Sequence, residues 1–116
     1  QMCIRDSISG SGPAYVFRFI EALTEAGLRY GFNDVQAKRM AIATVLGSAE
    51  LAKRSGESPS VLREKVTSKG GTTYEALKVM NDRHFMEMMQ DAMDACKKRA
   101  VELGDAFHES VEAAEK

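Results

Sequence analysis

Met40-Ala41-Ile42-Ala43-Thr44-Val45-Leu46 settles how the rest of the chain must be arranged. On a helix this segment is apolar on nearly every side. Only Thr44 interrupts it, and a threonine hydroxyl can return to the backbone carbonyl one turn back. A helix apolar all round must be covered all round. A chain of 116 residues offers few surfaces to do that. A second copy of the same helix is the simplest source, so the segment predicts a homodimer. The rival expectation is a central helix wrapped by its own neighbours. Asn33 or Asp34 supplies an N-cap, and Gly56 stops the helix after about Ser55. Gly47 and Ala49 are small enough to admit a close neighbour.

Upstream, Ser11 or Gly12 caps a first helix with Pro13 at its first position, a placement proline tolerates because its missing N–H is not needed there. Val16, Phe19, Ile20, Leu23 and Ala26 or Gly27 recur at three- and four-residue steps and form an apolar stripe, widened by Phe17. Arg18, Glu21, Glu25 and Arg29 mark the wet side. The helix runs to about Tyr30, and Gly31 ends it. Gln1 to Ser7 shows no periodicity and reads as a scar or linker remnant.

Downstream, Ser58-Pro59 starts a short helix to about Val66, with Val61, Leu62 and Val66 facing inward. A fourth helix covers Tyr74 to Met80, and Asn81-Asp82 breaks it. A fifth runs from about Arg83 to Leu103, with Phe85, Met88, Met89, Ala92, Met93, Cys96, Ala100 and Leu103 on its inner face and Gly104 at its end. Its methionines read as adaptable packing. Asp105 to Lys116 reads as a polar tail, frayed or disordered. The fold class is therefore all-α with five helices. The predicted organisation is a remnant at 1–7, a helical domain at 8–104 and a tail at 105–116.

Composition narrows the function. Hydrophobic residues make up 44% and charged residues 28%, with a net charge of -1. Acids and bases alternate without a basic face, which argues against nucleic acid as a partner. No apolar run approaches membrane-spanning length and no secretory pattern is present, so no membrane partner is expected. Cys3 and Cys96 lie far apart without metal-ligand spacing, and His84 and His108 lack companion ligands, so no metal site is expected. Cys96 reads as a buried free thiol. A reducing cytoplasm follows.

One stretch carries chemistry: Thr67-Ser68-Lys69-Gly70-Gly71-Thr72-Thr73. Two glycines permit a sharp turn and close backbone approach to a ligand. Thr72 with Glu75 fits a capping box, which makes Thr72 the N-cap of the fourth helix. The free N–H groups of a helix start suit a small anion such as a carboxylate. The plain alternative is a capped turn between two helices.

Three runs resemble signatures of the pyrroline-5-carboxylate reductase family. They are Ser9-Gly10-Ser11-Gly12-Pro13-Ala14-Tyr15, then Thr44-Val45-Leu46-Gly47-Ser48-Ala49, then Val66 to Thr73, in the family's order and at its spacing. The resemblance covers about Ile8 to Gly104. It implies a C-terminal dimerisation domain, all-α with five helices, resembling the 6-phosphogluconate-dehydrogenase C-terminal-like class. It implies an enzyme that reduces 1-pyrroline-5-carboxylate to L-proline with NADPH or NADH, as a homodimer with further assembly left open. Gly70, Gly71, Thr72 and Thr73 would contact the small-molecule substrate, and Thr73 would hydrogen-bond the reacting ring nitrogen. The chain departs from the family in three ways. It has no strand-GxGxxG-helix unit, so the cofactor would be bound mainly by an absent N-terminal Rossmann domain, leaving the chain inactive alone. Gln1 to Ser7 does not match. Lys69 stands where many members carry proline. An association module without catalysis is the competing reading.

Overall fold

The computed structural model describes residue 8 and residues 10–115, the last ten of these by backbone alone. The expectation for residues 1–7 lies outside the described residues. Five helices follow in order: α1 Gly12–Arg29, α2 Asp34–Ser55, α3 Pro59–Lys65, α4 Thr72–Asp82 and α5 Phe85–Glu115. No strand occurs among the described residues, and no described helix is long and apolar enough to cross a membrane. The all-α expectation holds. The chain divides into two compact units, one of residues Ala14–Met80 and the other of the residues up to Pro13 and from Asn81 onward.

Within the first unit, local signals set the helix ends. α1 closes in a Schellman motif: the Phe32 N–H reaches the Gly27 carbonyl at 3.1 Å and the Gly31 N–H reaches Leu28 at 3.0 Å. Gly31 takes φ +97°, a conformation that costs glycine nothing. α2 opens with a reciprocal capping box. The Asn33 side chain accepts from the Gln36 N–H at 2.8 Å, and the Gln36 side chain accepts from the Asn33 N–H at 3.3 Å. α2 ends on Gly56 at φ +68°. Thr44 returns its hydroxyl to the Met40 carbonyl at 2.8 Å, as expected.

The core of this unit is small. Ala37 and Ala41 are its only fully buried hydrophobic residues, at 2% and 4% exposure. A Cβ built at Gly27 would lie 2.9 Å from the Ala37 Cβ, so α1 and α2 touch there almost backbone to backbone. A Cβ built at Gly47, by contrast, would have nothing within 4 Å among the described residues, so that position stays open to a neighbour. The other sides of α2 are open. Met40, Ile42 and Leu46 are 44%, 45% and 66% exposed. The other elements of its own unit do not cover these side chains. On α1, Ile20, Leu23, Ala26 and Gly27 are half-buried, while Val16, Phe17 and Phe19 are exposed.

α3 has no buried residue, and Val61 and Val66 are exposed rather than inward-facing. Val66 lies one residue past the end of α3, and within the helix only Leu62 is half-buried.

In the second unit α5 buries a narrower stripe than expected. Phe85, Met89, Met93, Cys96 and Ala100 are half-buried at four- and three-residue steps, whereas Met88, Ala92 and Leu103 are exposed. Cys96 is half-buried, not buried, and its thiol donates to the Ser11 hydroxyl at 3.3 Å. Two boundaries differ from expectation. Asn81 and Asp82 remain in α4, and the left-handed residue is His84, at φ +60°. Its N–H donates to the Asn81 carbonyl at 3.0 Å and its carbonyl accepts the Met88 N–H at 2.8 Å, so His84 closes one helix and opens the next. Gly104 does not end α5, which continues to Glu115. Gly104 lacks positive φ, and a helical glycine costs only about 1 kcal/mol relative to alanine. The expected polar tail is therefore helical in backbone to Glu115.

Candidate substrate-carboxylate cradle

The segment that joins α3 to α4 lies wholly within the first unit. Its stem is fixed first. The Ser58 hydroxyl caps α3 by accepting the Val61 N–H at 3.3 Å, with Pro59 in the first turn. At the other end of α3 the Val66 N–H reaches the Arg63 carbonyl at 3.2 Å and the Thr67 N–H reaches Glu64 at 3.1 Å. The Thr67 hydroxyl also returns to the Arg63 carbonyl, at 2.5 Å.

Ser68-Lys69-Gly70-Gly71 then forms a β-turn. The Gly71 N–H donates to the Ser68 carbonyl at 2.9 Å. Gly70, at the third position, has φ +76°, and Lys69 at the second has negative φ, since His84 is the only positive-φ non-glycine described. That combination is a type II turn, which demands glycine or asparagine at the third position and favours proline at the second. The two glycines therefore have different causes. Gly70 supplies the left-handed backbone. Gly71 supplies clearance, because a Cβ there would collide with the Ser68 hydroxyl and lie 3.1 Å from the Ser68 carbonyl oxygen.

The turn delivers the chain straight into helical geometry. Thr72 is already the first residue of α4, and the Gly71 carbonyl accepts the Glu75 N–H at 3.2 Å. The cap position thus falls on Gly71, and the expected Thr72–Glu75 capping box does not form. Unlike α2 and α3, this helix start receives no side-chain cap. The N–H groups of Thr72, Thr73 and Tyr74 have no acceptor among the described residues, and neither threonine hydroxyl is engaged. Thr73 is half-buried and Thr72 exposed. Free N–H groups at the positive end of a helix dipole bind carboxylate or phosphate. The structure thus gathers Gly70, Gly71, Thr72 and Thr73 in one turn. Among the described residues no group of three or more His, Cys, Asp and Glu could hold a metal ion.

Two substitutions test this geometry. Lys69→Pro should stabilise the protein by about 0.5–1 kcal/mol, because proline presets the φ that a type II turn needs and no Lys69 N–H bond is lost. Denaturant unfolding measures it, and a lower midpoint would show that the turn is of another type. Gly71→Val should raise the KM for a carboxylate substrate about tenfold or more, because its Cβ forces the Ser68–Gly71 turn open. Unchanged KM would mean that the turn does not shape the site.

The comparisons agree with this architecture. The model of the pyrroline-5-carboxylate reductase dimerisation family matches residues 1–103, and so takes in the seven residues that the sequence reading set aside. The chain belongs to the pyrroline-5-carboxylate reductase family, through its dimerisation domain. Pyrroline-5-carboxylate reductase of Escherichia coli is 41% identical over 96 residues, which are 83% of this chain and 36% of that protein. The Aquifex aeolicus reductase is 42% identical over 84% of this chain and 37% of its own length. A solved pyrroline-5-carboxylate reductase from Coxiella burnetii matches with TM-score 0.86 at 41% identity, over 89% of this chain and 38% of that one. The Plasmodium falciparum pyrroline carboxylate reductase, solved with NADP bound, matches with TM-score 0.82 at 34% identity, over 84% of this chain and 40% of that one. The chain thus spans little more than a third of the length of these relatives.

Sequence reasoning missed the Ser68 carbonyl that closes the turn and the pairing of Glu57 with Lys65. The first was readable from a Ser-x-Gly-Gly run with type II preferences. The second joins residues eight apart, a spacing without a helical or strand signal.

Proposed function

We infer that this chain forms the dimerisation and substrate-binding part of an enzyme that reduces 1-pyrroline-5-carboxylate to L-proline. The observation that carries the reading is the uncapped start of α4, where the unengaged N–H groups of Thr72, Thr73 and Tyr74 stand beside the free Thr73 hydroxyl. The substrate is a small ring with a carboxylate next to a C=N bond. Its carboxylate would sit on the N–H groups. The Thr73 hydroxyl would then meet the ring nitrogen, donating to the imine or accepting from the iminium. Holding both ends fixes which ring carbon faces the hydride donor. A nicotinamide cofactor, NADPH or NADH, supplies the hydride. The described residues form helices only and offer no strand–glycine loop–helix cradle for its pyrophosphate. The cofactor would therefore be held mainly by the remainder of the enzyme, and this chain alone would be inactive.

The open faces of α2 support a homodimer. To test the reading, this chain is joined to the N-terminal remainder of the Escherichia coli relative and assayed for NAD(P)H oxidation with 1-pyrroline-5-carboxylate. Turnover is expected from the chimera and none from the chain alone. A folded, dimeric chimera without turnover would favour the association-module reading instead.

A further inference from the structure

Lys65 and Glu57 make the one ion pair among the described residues that joins groups more than four residues apart. The Lys65 Nζ lies 2.6 Å from one Glu57 carboxylate oxygen and 2.8 Å from the other. Glu57 directly precedes the Ser58 cap, and Lys65 is the last residue of α3. The pair therefore ties the two ends of a seven-residue helix together. So short a helix is unstable by propensity alone, and this one buries no residue that would hold it by packing. The signs also match its dipole, with the acid at the N-terminal end and the base at the C-terminal end.

What α3 supports is the cradle. Its last carbonyls, on Arg63 and Glu64, accept the Val66 and Thr67 N–H groups, and Arg63 also accepts the Thr67 hydroxyl. The Ser68 carbonyl of the following turn accepts Gly71. Successive local hydrogen bonds, joined by the backbone from Thr67 to Ser68, thus lead from the helix that the Glu57–Lys65 pair closes to the start of α4. We propose that Glu57 and Lys65 are a positioning pair that holds the carboxylate cradle in its binding geometry. The proposal rests on the substrate reading given above. Neither side chain is a catalytic residue. Lys65 is spent on Glu57 and acts through the shape of the turn, not by attracting the substrate with its own charge.

The two roles differ in what Glu57 does. A positioning pair fails equally when either member is removed, whereas a lysine acting directly on the carboxylate is freed by loss of Glu57. In the complete reductase, Glu57→Gln and Lys65→Met should each raise the KM for 1-pyrroline-5-carboxylate about two- to fivefold, with kcat within about twofold. The double variant should be no worse than either single one, because both remove the same interaction. Lys65→Arg, which keeps a bidentate partner for the carboxylate, should restore the parent KM. The pair is overturned if Glu57→Gln leaves or lowers KM while Lys65→Met raises it, if the two effects add, or if neither variant changes KM. A parent enzyme without turnover would overturn the substrate reading, and with it this role. An active parent with insensitive variants would overturn the pair alone.

Discussion

Thr73→Ala in the complete reductase is expected to lower kcat by roughly 10- to 100-fold while leaving the fold intact. The magnitude is that of one hydrogen bond to a charged group, about 1.5–3 kcal/mol. Thr73 is half-buried, its hydroxyl bonds nothing among the described residues, and it lies one residue into the helix whose N–H groups would hold the carboxylate. Since no structural bond is lost, the effect belongs to turnover and not to stability. Thr73→Ser, which retains the hydroxyl, should recover most of the rate. Thr72→Ala removes an exposed hydroxyl and should act on KM more than on kcat. Steady-state kinetics on the three variants decide the matter, and parent-like kcat in Thr73→Ala would remove this residue from the proposed mechanism.

The second large effect concerns association. Met40→Asp combined with Leu46→Asp should convert the protein to a monomer of low helicity. Both side chains are substantially exposed in the single chain, which buries only Ala37 and Ala41 completely among its described hydrophobic residues. A single copy thus has little interior to fold around. If the open faces of α2 meet their equals across a two-fold axis, each substitution counts twice. A desolvated, unpaired carboxylate costs several kcal/mol. The dissociation constant should therefore rise at least about 100-fold. Sedimentation and circular dichroism across a concentration series measure both consequences. A variant with parent mass and parent melting behaviour would show that α2 does not form the contact.

The helices were legible in the sequence wherever a local device sets the boundary. The Asn33 cap, Gly56 and Ser58-Pro59 each act within a few residues and stand where pattern reading puts them, while Pro13 falls one position inside α1, which begins at Gly12. Boundaries failed where the same residue type has two uses. Gly104 could stop a helix or be tolerated inside one, and α5 tolerates it. Asn81 could take the left-handed conformation, but His84 takes it instead. Thr72 has the composition of a cap. It misses the role by one position, because the type II turn before it ends in helical geometry at Gly71.

Burial was less legible than boundary. Periodicity names the apolar face of a helix but not what covers it. Val16, Phe19, Val61, Met88 and Leu103 all lie on faces expected to be inward, and all are exposed in the single chain. The candidate site lay between these cases. Its glycines and threonines were visible as a motif, while the separate reasons for Gly70 and Gly71 required the backbone of the turn. The pairing of Glu57 with Lys65 was invisible, since a spacing of eight carries no helical or strand signal.

The groups that shape the cradle, from Glu57 and the Ser58 cap to the Glu75 N–H, follow one another within a single short run of chain. Contacts of such small sequence separation are cheap in loop-closure entropy and form early relative to distant ones. The turn thus depends on its own short run of chain for its shape, and not on residues distant in sequence.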